Sequence, residues 1–271
     1  MRIDDAVIVK AHYDADPQKE WDRLAGGRFE YRIATRYMEK YIEPGDSVLD
    51  IGGGPGRYSI WLANRGCDVT LFDLSEQNIE FARSKAAEYN VDFKTIAGDA
   101  RYISANPKLA RKYDHVLIMG PLYHLVDEND RISSLRGALS RLKKGGKLFA
   151  SFISHIGGMV FMLRECPELI TLPAERPFID ALINGRSYGG DGFTRAFFAY
   201  PDSVLPFMEQ FPLKKLHFFG QEGISSPFFN RIMPLSREAV DEWFRISLAV
   251  CEKPEFLSYS EHLMYIGEKT K

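Results

Sequence analysis

A glycine-rich segment limits the possible folds of this chain more than any other feature. Residues 48–56 read Val-Leu-Asp-Ile-Gly-Gly-Gly-Pro-Gly, so a short apolar run leads into a turn with four glycines. Glycine lets the backbone approach a ligand closely where a Cβ atom would clash, and a helix that follows directs its free N–H groups at the same ligand. The segment therefore predicts a strand over 47–51, a ligand-binding turn and a helix over 57–65.

Strands and helices continue to alternate after this turn. Short apolar or alternating runs predict four more strands, and apolar residues at spacings of three and four predict the helices between them. These strands are predicted at 68–72, 91–96, 113–119 and 147–153, and the helices at 75–88 and 130–142. Such alternation is typical of parallel strands joined by helical crossovers. We expect an α/β fold with a doubly wound, mostly parallel, Rossmann-like sheet.

The composition excludes several other classes of protein. Lys and Arg number 35 against 37 Asp and Glu, so the net charge of −2 lacks the basic excess of a dedicated nucleic-acid binder. The three cysteines form no C-x-x-C pair and the six histidines no H-x-x-x-H pair, which predicts neither a disulfide framework nor a metal site. The start of the sequence is too polar for a signal peptide, and no apolar run reaches the ~20 residues of a membrane span. These features predict a cytoplasmic protein without nucleic-acid or membrane partners.

The spacing inside the glycine turn separates two kinds of ligand. Dinucleotide-binding turns have the pattern G-x-G-x-x-G, whereas Gly52, Gly54 and Gly56 form G-x-G-x-G. Asp50 stands two residues before the first glycine, where its carboxylate would repel a pyrophosphate but suits a ligand with an ammonium group. Both observations disfavour a nucleotide-dependent oxidoreductase.

Together, the acid and the glycines resemble D-x-G-x-G-x-G, the first motif of the class I S-adenosylmethionine-dependent methyltransferases. Asp73 ends the second predicted strand, where this family carries an acid that bonds both ribose hydroxyls. Residues 98–100, Gly-Asp-Ala, follow the third strand, where the family has a polar residue facing the adenine amino group. Residues 113–124 and 142–149 resemble the fourth-strand motif and the helix end with the fifth strand.

The resemblance implies how the chain would hold S-adenosylmethionine. Asp50 serves the ammonium group, Asp73 the ribose and Asp99 the adenine amine, while N–H groups of the turn and Arg28 or Arg57 serve the carboxylate. Two apolar neighbours of these acids sandwich the adenine ring, and two residues at the end of the fourth strand complete the site. The predicted cofactor-binding residues are Asp50, Gly52, Gly54, Asp73, Leu74, Asp99, Ala100, Met119 and Gly120.

The fourth strand also leads to the candidate catalytic residue. His124 follows this strand, and as a neutral imidazole it could take a proton from an oxygen or nitrogen nucleophile. Tyr13 and Tyr123 are candidates for the wall of the substrate pocket. Because a sulfonium is a good leaving group, alignment of the nucleophile with the methyl group can supply much of the rate, and a dedicated base is optional.

Each of these assignments has a purely structural alternative. Asp50 could cap a turn, Asp73 could cap the next helix in competition with Ser75, and Asp99 could be a turn residue. Gly53 could serve only as spacing, and His124 could be a loop histidine bonded to backbone. The dense aromatic residues of the later chain favour core or lid packing over substrate clamping; they are Phe193, Phe197, Phe198 and Tyr200.

The resemblance is strong over 45–153 and looser to about residue 269, which predicts a single domain over 1–271. Its predicted parts are an N-terminal helical cap (1–44), the cofactor-binding core (45–153), a helical or loop lid insertion after strand 5 (154–200) and a sheet-closing part (201–271). Closing strands at 213–219 and 261–267, with a helix over 236–250 between them, would bring the sheet to seven strands.

The segment at 120–125, Gly-Pro-Leu-Tyr-His-Leu, is similar to a bacterial subgroup of the family that acts on small molecules. The resemblance therefore implies methyl transfer to a small molecule, with S-adenosylhomocysteine as product and an acceptor pocket between the N-terminal helices, the loop at 121–126 and the insertion. An RNA or protein methyltransferase and a non-catalytic S-adenosylmethionine-binding module stay open as alternatives. The sequence gives no indication of the oligomeric state.

Overall fold

A nine-stranded sheet forms the centre of the computed structural model, which describes residues 4–24 and 29–271. Its strands are β1 (Ser47–Ile51), β2 (Asp68–Asp73), β3 (Lys94–Ala97), β4 (Tyr113–Ile118), β5 (Leu142–Ser154), β6 (Tyr188–Asp191), β7 (Arg195–Ala199), β8 (Leu213–Gly220) and β9 (His262–Lys269). The first five are parallel in the order β3-β2-β1-β4-β5. β9 pairs antiparallel with β5, and β8 pairs antiparallel with β9, so β8 runs parallel to β5. The predicted doubly wound, mostly parallel α/β fold is confirmed.

Helices cover both faces of the sheet and its carboxyl edge. They are α1 (Asp5–Ala15), α2 (Pro17–Arg23), α3 (Phe29–Met38), α4 (Arg57–Asn64), α5 (Glu76–Glu88), α6 (Pro121–His124), α7 (Glu128–Arg141), α8 (His155–Glu165), α9 (Arg176–Ile183), α10 (Pro201–Met208), α11 (Phe229–Ile232), α12 (Arg237–Val250) and α13 (Pro254–Leu257). None of these helices has the length and apolar character needed to cross a membrane.

Side chains that alternate along the strands divide the core into two layers. On β1, Leu49 and Ile51 face one layer and Val48 the other. α7 and α10 pack on the first layer, and α3, α4 and α12 pack on the second. β9 continues the alternation, since Leu263 belongs to the first layer and Met264 to the second. Both faces are thus covered, as the predicted crossovers require.

The predicted insertion contains a β-hairpin that the sequence did not reveal. β6 and β7 pair antiparallel, and the end of β7 adds to the tip of β5 in parallel. Side chains at two glycines of β6 would collide with neighbours, because a Cβ at Gly189 would lie 2.9 Å from Val126 and one at Gly190 2.4 Å from the Tyr188 hydroxyl. These glycines obscure the strand pattern, so the sheet has two strands beyond the seven predicted.

The third strand is shorter than predicted. It was expected over 91–96, but pairing with β2 begins at Lys94 and ends at Ala97. Residue 91 lies just beyond α5 and completes its end, because the Val91 N–H donates to the Ala86 carbonyl at 3.0 Å. The first residues of the predicted strand therefore complete the end of α5 instead of pairing with β2, in spite of their alternating apolar pattern.

Candidate functional site

A mainly apolar cleft lies at the carboxyl ends of β1, β2 and β4. Parallel α/β sheets bind their ligands at this edge. The cleft brings together every predicted cofactor-binding residue, both candidate substrate residues and the candidate catalytic residue: Asp50, Gly52, Gly54, Asp73, Leu74, Asp99, Ala100, Met119, Gly120, Tyr13, Tyr123 and His124. Their roles toward a ligand stay predictions.

The glycine turn is shaped by left-handed backbone and by close contacts. Gly52 has φ +72°, and a Cβ there would lie 2.4 Å from Pro121 Cδ. A Cβ at Gly53 would lie 2.7 Å from Asp50 Oδ2 and 2.9 Å from Leu71 Cγ. A side chain at Gly53 would therefore displace the carboxylate of Asp50, which gives this glycine a steric role in the turn. The turn forms a cradle in which Gly52 and Gly53 have no room for a side chain.

Asp50 ends β1 beside this cradle and is 2% exposed. The Ser59 hydroxyl donates to its Oδ2 at 2.7 Å. Burial raises the pKa of Asp50 to about 6, and the charge of Asp73 adds to the increase, while the Ser59 bond opposes it. A cationic group in the cleft would favour the ionised form of this carboxylate.

Asp73 braces the glycine turn from the end of β2. Its Oδ2 accepts from the Gly54 N–H at 2.8 Å, and its Oδ1 accepts from the Ser75 N–H at 2.8 Å. Burial raises the pKa of Asp73 in spite of these bonds. The alternative that Asp73 caps α5 is wrong, since Ser75 Oγ accepts from the Asn78 N–H at 3.0 Å and is the cap.

Asn78 is a cleft residue that the sequence did not single out. It is 2% exposed, and its Nδ2 lies 3.4 Å from Asp73 Oδ1. Its Oδ1 has no hydrogen-bond partner among the described residues. Asn78 thus presents a buried acceptor beside the two acids.

Asp99 is held by the guanidinium group of Arg101. Arg101 Nε and Nη2 donate to Asp99 Oδ2 at 2.9 and 2.6 Å, and the Arg101 N–H donates to Oδ1 at 2.8 Å. Arg101 also bonds both carboxylate oxygens of Asp4, just before α1. Asp99 therefore has the turn role that was the structural alternative, and it lines the cleft as well.

His124 and Tyr13 form a hydrogen-bonded pair in the cleft. His124 Nδ1 lies 3.2 Å from the Arg195 carbonyl, which can only accept, so Nδ1 carries the proton. The Tyr13 hydroxyl then donates to Nε2 at 2.7 Å. Burial lowers the pKa of His124 to about 4 and raises that of Tyr13. The pair is therefore neutral near pH 7.

The end of β4 supplies a backbone wall next to this pair. The Tyr123 hydroxyl donates to the Met119 carbonyl at 2.8 Å, so its ring is the part that faces the cleft. A Cβ at Gly120 would lie 3.1 Å from the Gly52 carbonyl. The two glycines thus let the β1 and β4 turns approach each other.

Charged residues of the N-terminal helices line the cleft without a signal in the sequence. Arg23 Nη1 donates to Glu30 Oε2 at 2.7 Å, and Arg23 Nε donates to both oxygens of Glu20 at 3.0 Å. Arg57, a candidate for the ligand carboxylate, lines the cleft and stacks on Trp21 at 3.7 Å. The other candidate, Arg28, lies outside the described residues.

Gln221 and Ser151 complete the lining on the β5 and β8 side. Gln221 directly follows β8, which ends at the same edge as the parallel strands. A polar residue after a predicted strand at that edge was a usable sequence signal. Beside Gln221, the carboxylates of Glu30 and Glu222 and the ring of His262 have ligand atoms within 4.8 Å of one another, as a metal site would. Their hydrogen bonds to Arg23 and to each other favour an ion-pair network instead.

The insertion reaches the cleft only indirectly. The described lining residues come from α1 to α3, the turns after β1 to β4, Ser151 and Gln221, so the expected wall from 155–200 is not found there. Phe198 packs in a core cluster with Phe178, and Phe197 lies against Arg131 at 3.6 Å. The packing interpretation fits Phe197 and Phe198, whereas Phe193 is 52% exposed and its ring lies 5.7 Å from that of His124.

Comparison with known proteins agrees with this geometry. Residues 48–146 match the family model described as a methyltransferase domain. Over this segment the chain is similar to a methyltransferase domain. This domain contains the glycine turn, both buried acids and the end of β4, so the predicted family resemblance is confirmed on the residues that carried it.

Curated relatives of this methyltransferase domain include ubiquinone biosynthesis O-methyltransferases. That of Xanthomonas axonopodis pv. citri (strain 306) is 33% identical over 152 residues, which cover 55% of this chain and 59% of the relative. That of Coxiella burnetii (strain Dugway 5J108-111) is 30% identical over 146 residues, covering 52% of this chain and 60% of the relative. The chain thus spans about three fifths of the length of the curated relatives it matches.

Solved structures share the fold over nearly the whole chain. N-methyltransferase NodS from Bradyrhizobium japonicum WM9, in complex with S-adenosylhomocysteine, is 13% identical with a TM-score of 0.60, covering 97% of this chain and 100% of that one. The 1,6-didemethyltoxoflavin-N1-methyltransferase of Burkholderia thailandensis is 13% identical with a TM-score of 0.61, covering 98% and 89%. At these identities the likeness concerns the fold.

Proposed function

We propose that this protein transfers the methyl group of S-adenosylmethionine to an oxygen or nitrogen atom of a small molecule by in-line displacement, with S-adenosylhomocysteine as the second product. The observation that carries the proposal is the glycine cradle, where Gly53 has no room for a side chain beside the buried Asp50 and Asp73 braces Gly54. The methyltransferase domain over 48–146 and relatives named as ubiquinone biosynthesis O-methyltransferases support the same reaction.

The cofactor fits the polar groups of the cleft. The Asp50 carboxylate suits an ammonium group, and burial strengthens that preference. Asp73 Oδ2 has a lone pair beyond its bond from the Gly54 N–H, which suits a ribose hydroxyl, while Oδ1 already accepts from the Ser75 N–H and from Asn78. Asp99 would accept from the adenine amine between Leu74 and Ala100. When bound, S-adenosylmethionine supplies an electrophilic methyl group on a positively charged sulfur.

The Tyr13–His124 pair supports a role in orienting the nucleophile. Tyr13 Oη donates to His124 Nε2, which leaves the lone pairs of the phenol oxygen free to accept a hydrogen bond from an acceptor hydroxyl or amine. A base with a pKa near 4 removes protons weakly at neutral pH, so His124 would act through Tyr13 rather than ionise the acceptor by itself. Alignment then supplies much of the rate.

A small acceptor is favoured because helices cover the cleft. α1 lies over it, with Asp5 bonded to Arg195 and Tyr13 bonded to His124. An RNA or a folded protein would need this helix to move aside, whereas a small molecule fits beneath it. The near-neutral charge of the chain gives no steering toward RNA. Three free cysteines suit the reducing cytoplasm as the place of action.

Cofactor binding is the first test of the proposed function. Titration calorimetry with S-adenosylhomocysteine should give saturable binding, and Asp73→Asn should weaken it about tenfold or more, because a charged acceptor is lost. Asp68→Asn is the matched control, since Asp68 lies at the opposite end of the same strand and pairs with Arg111 on the surface. Equal affinity of wild type and Asp73→Asn would contradict the assignment.

The acidity of Asp50 gives a second readout of the same site. As the pH falls below about 6, protonation of Asp50 should weaken binding of the cationic S-adenosylmethionine. In Asp50→Asn this decrease of affinity at acid pH should disappear, and binding should be weak at every pH.

Formation of S-adenosylhomocysteine across a metabolite panel then separates an enzyme from a non-catalytic binding module. A protein that binds the cofactor but turns over no phenol, catechol or amine would favour the module.

A further inference from the structure

Besides the Asn78 acceptor, two buried hydrogen-bond donors in the cleft have no partner among the described residues. They are the Tyr58 hydroxyl and the Gln221 side-chain nitrogen. Tyr58 is 7% exposed and Gln221 is 1% exposed, and both line the cleft. A buried donor without an acceptor costs free energy, so such groups in a binding cleft indicate an atom that the ligand supplies.

The local structure determines what these groups offer. The Ser151 hydroxyl donates to Gln221 Oε1, which leaves the two N–H bonds of Nε2 for another acceptor. The Gln221 backbone N–H donates to the His262 carbonyl at 2.9 Å and anchors the residue behind β8. Tyr58 lies in the first turn of α4, with its ring 5.2 Å from that of Tyr31. Both side chains are held in place before any ligand arrives.

Strand order places this region at the acceptor end of the cleft. Asp73 and Asp99 follow β2 and β3, on one side of β1. Gln221 follows β8 and Ser151 lies in β5, on the other side and beyond β4. A cofactor extended from the end of β3 toward β4 would present its methyl group to this second side. Gln221 thus lies where the proposed acceptor must bind, and Tyr58 of α4 lines the same cleft.

The charges around this end disfavour an anionic acceptor. Among the described residues at this end, the carboxylates of Glu20, Glu30 and Glu222 outnumber the cations Arg23 and His262 by one. Glu222 accepts from His262 Nδ1 at 2.6 Å, and its charge together with that of Glu30 raises the pKa of His262 to about 9. These cations are therefore already neutralised by carboxylates and would not bind a second carboxylate or phosphate well.

We propose that Tyr58 and Gln221 recognise the carbonyl or hydroxyl oxygen of an uncharged, ring-bearing acceptor. Unpaired donors require an acceptor atom, the net charge excludes an anion, and the rings of Tyr13 and Tyr123 line the cleft as flat walls. This inference rests on the proposed methyl transfer and narrows its substrate class. A site built to bond a substrate oxygen strongly rejects an analogue that lacks it.

Three ring compounds of the same shape test the inference. Benzamide is neutral with a carbonyl acceptor, benzoate is an anion, and benzamidinium is a cation with donors only. Binding of each to the full chain saturated with S-adenosylhomocysteine can be measured by saturation-transfer NMR and titration. Benzamide should bind at least tenfold more tightly than the other two. Absent benzamide binding, or a preference for benzoate or benzamidinium, would overturn the inference.

Near-isosteric variants identify the groups responsible. Gln221→Glu keeps an acceptor for Ser151 but replaces the free donor with an anion, so it should lose benzamide binding and gain benzamidinium binding. Tyr58→Phe keeps the ring but removes the hydroxyl, and it should weaken benzamide binding about fivefold. Thr194→Val is the matched control, because Thr194 also has a buried hydroxyl without a partner but lies outside the described lining of the cleft. Unchanged benzamide binding in both cleft variants would reject the inference.

Titration with S-adenosylhomocysteine alone keeps the two proposals apart. A wild-type protein that does not bind it contradicts the proposed function. A protein that binds it but shows no preference for benzamide contradicts only the acceptor class. Both cleft variants should keep their affinity for S-adenosylhomocysteine within about twofold, which also shows that they are folded.

Discussion

Gly52 and Gly145 have the same left-handed backbone but different surroundings. Their φ angles are +72° and +78°, so alanine should cost about 1–2 kcal/mol of stability at either position. A Cβ at Gly145 meets nothing within 4 Å, whereas one at Gly52 would lie 2.4 Å from Pro121. Gly52→Ala should therefore also weaken S-adenosylhomocysteine binding more than tenfold, and Gly145→Ala should leave it unchanged. Urea denaturation and calorimetry measure the two effects, and equal affinities would show that the close contact is irrelevant to binding.

His124 should make stability depend on pH in the acid range. Burial lowers its pKa to about 4 in the folded protein, against about 6.5 in the unfolded chain. The unfolded chain therefore binds a proton first, so the stability that neutral His124 provides is complete above pH 6.5 and is lost as the pH falls toward 4. When the pH falls from 8 to 5, the unfolding free energy of wild type should decrease by about 2 kcal/mol more than that of His124→Asn. Urea denaturation at the two pH values measures this difference. Equal decreases of the unfolding free energy in wild type and His124→Asn would refute the prediction.

Single residues also show the limits of sequence reasoning. The spacing of the glycines predicted which positions would meet in the cleft, because the carboxyl ends of parallel strands share one edge. The spacing could not predict that a side chain at Gly53 would collide with Asp50. It also could not predict that Gln221 Nε2 has no hydrogen-bond partner among the described residues. Those properties depend on contacts between distant segments, which local patterns do not encode.

Helix α1 is attached to the rest of the molecule mainly through polar contacts. Val9 is its only buried residue, while Asp5 bonds Arg195 at 2.9 Å. Asp5→Asn should therefore increase amide hydrogen exchange within α1 by about five- to tenfold, the effect of losing about 1 kcal/mol. It should also speed release of S-adenosylhomocysteine in stopped-flow experiments, because α1 covers the cleft.

Arg195 provides a matched control for this helix. It also bonds Asp191 at 2.8 Å, but the Asp191 side chain is 91% exposed, and exposed pairs add little. Asp191→Asn should leave both hydrogen exchange and release unchanged. If Asp5→Asn and Asp191→Asn change hydrogen exchange and release equally, the cause is the loss of a negative charge near Arg195. The attachment of α1 would then not explain the change.

Helices and strands were predictable where a single hydrophobic periodicity dominated the sequence. They were not predictable where glycines or the end of a helix interrupted that periodicity. The closing strands expected at 213–219 and 261–267 correspond to β8 and β9, and Ser236 caps α12 as the helix predicted from that residue requires. The hairpin of β6 and β7 lacked a readable pattern because two of the four residues of β6 are glycines that make close contacts. Its existence depends on the tip of β5, far away in the sequence.

At the scale of the whole molecule, three of the four predicted parts share one buried cluster, and we propose that all four form a single domain. Phe29 of the N-terminal cap, Val48 of the cofactor half and Phe244 of the closing part belong to the same buried cluster. β9 pairs with β5 along seven residue pairs, from Lys147 with Glu268 to Ile153 with His262. Separation of the parts would expose both layers of the core, so none of them should unfold alone.

The three tryptophans report separately on these parts. Trp21 lies in α2, Trp61 in α4 and Trp243 in α12. Variants that keep one tryptophan, with phenylalanine at the other two positions, should show the same urea midpoint by fluorescence, coincident with the loss of far-ultraviolet circular dichroism. An earlier transition of Trp21 would identify the N-terminal cap as an independent unit. In that case the cap could open while the sheet stays folded, and cofactor affinity should fall at the urea concentration where Trp21 responds rather than at the global midpoint.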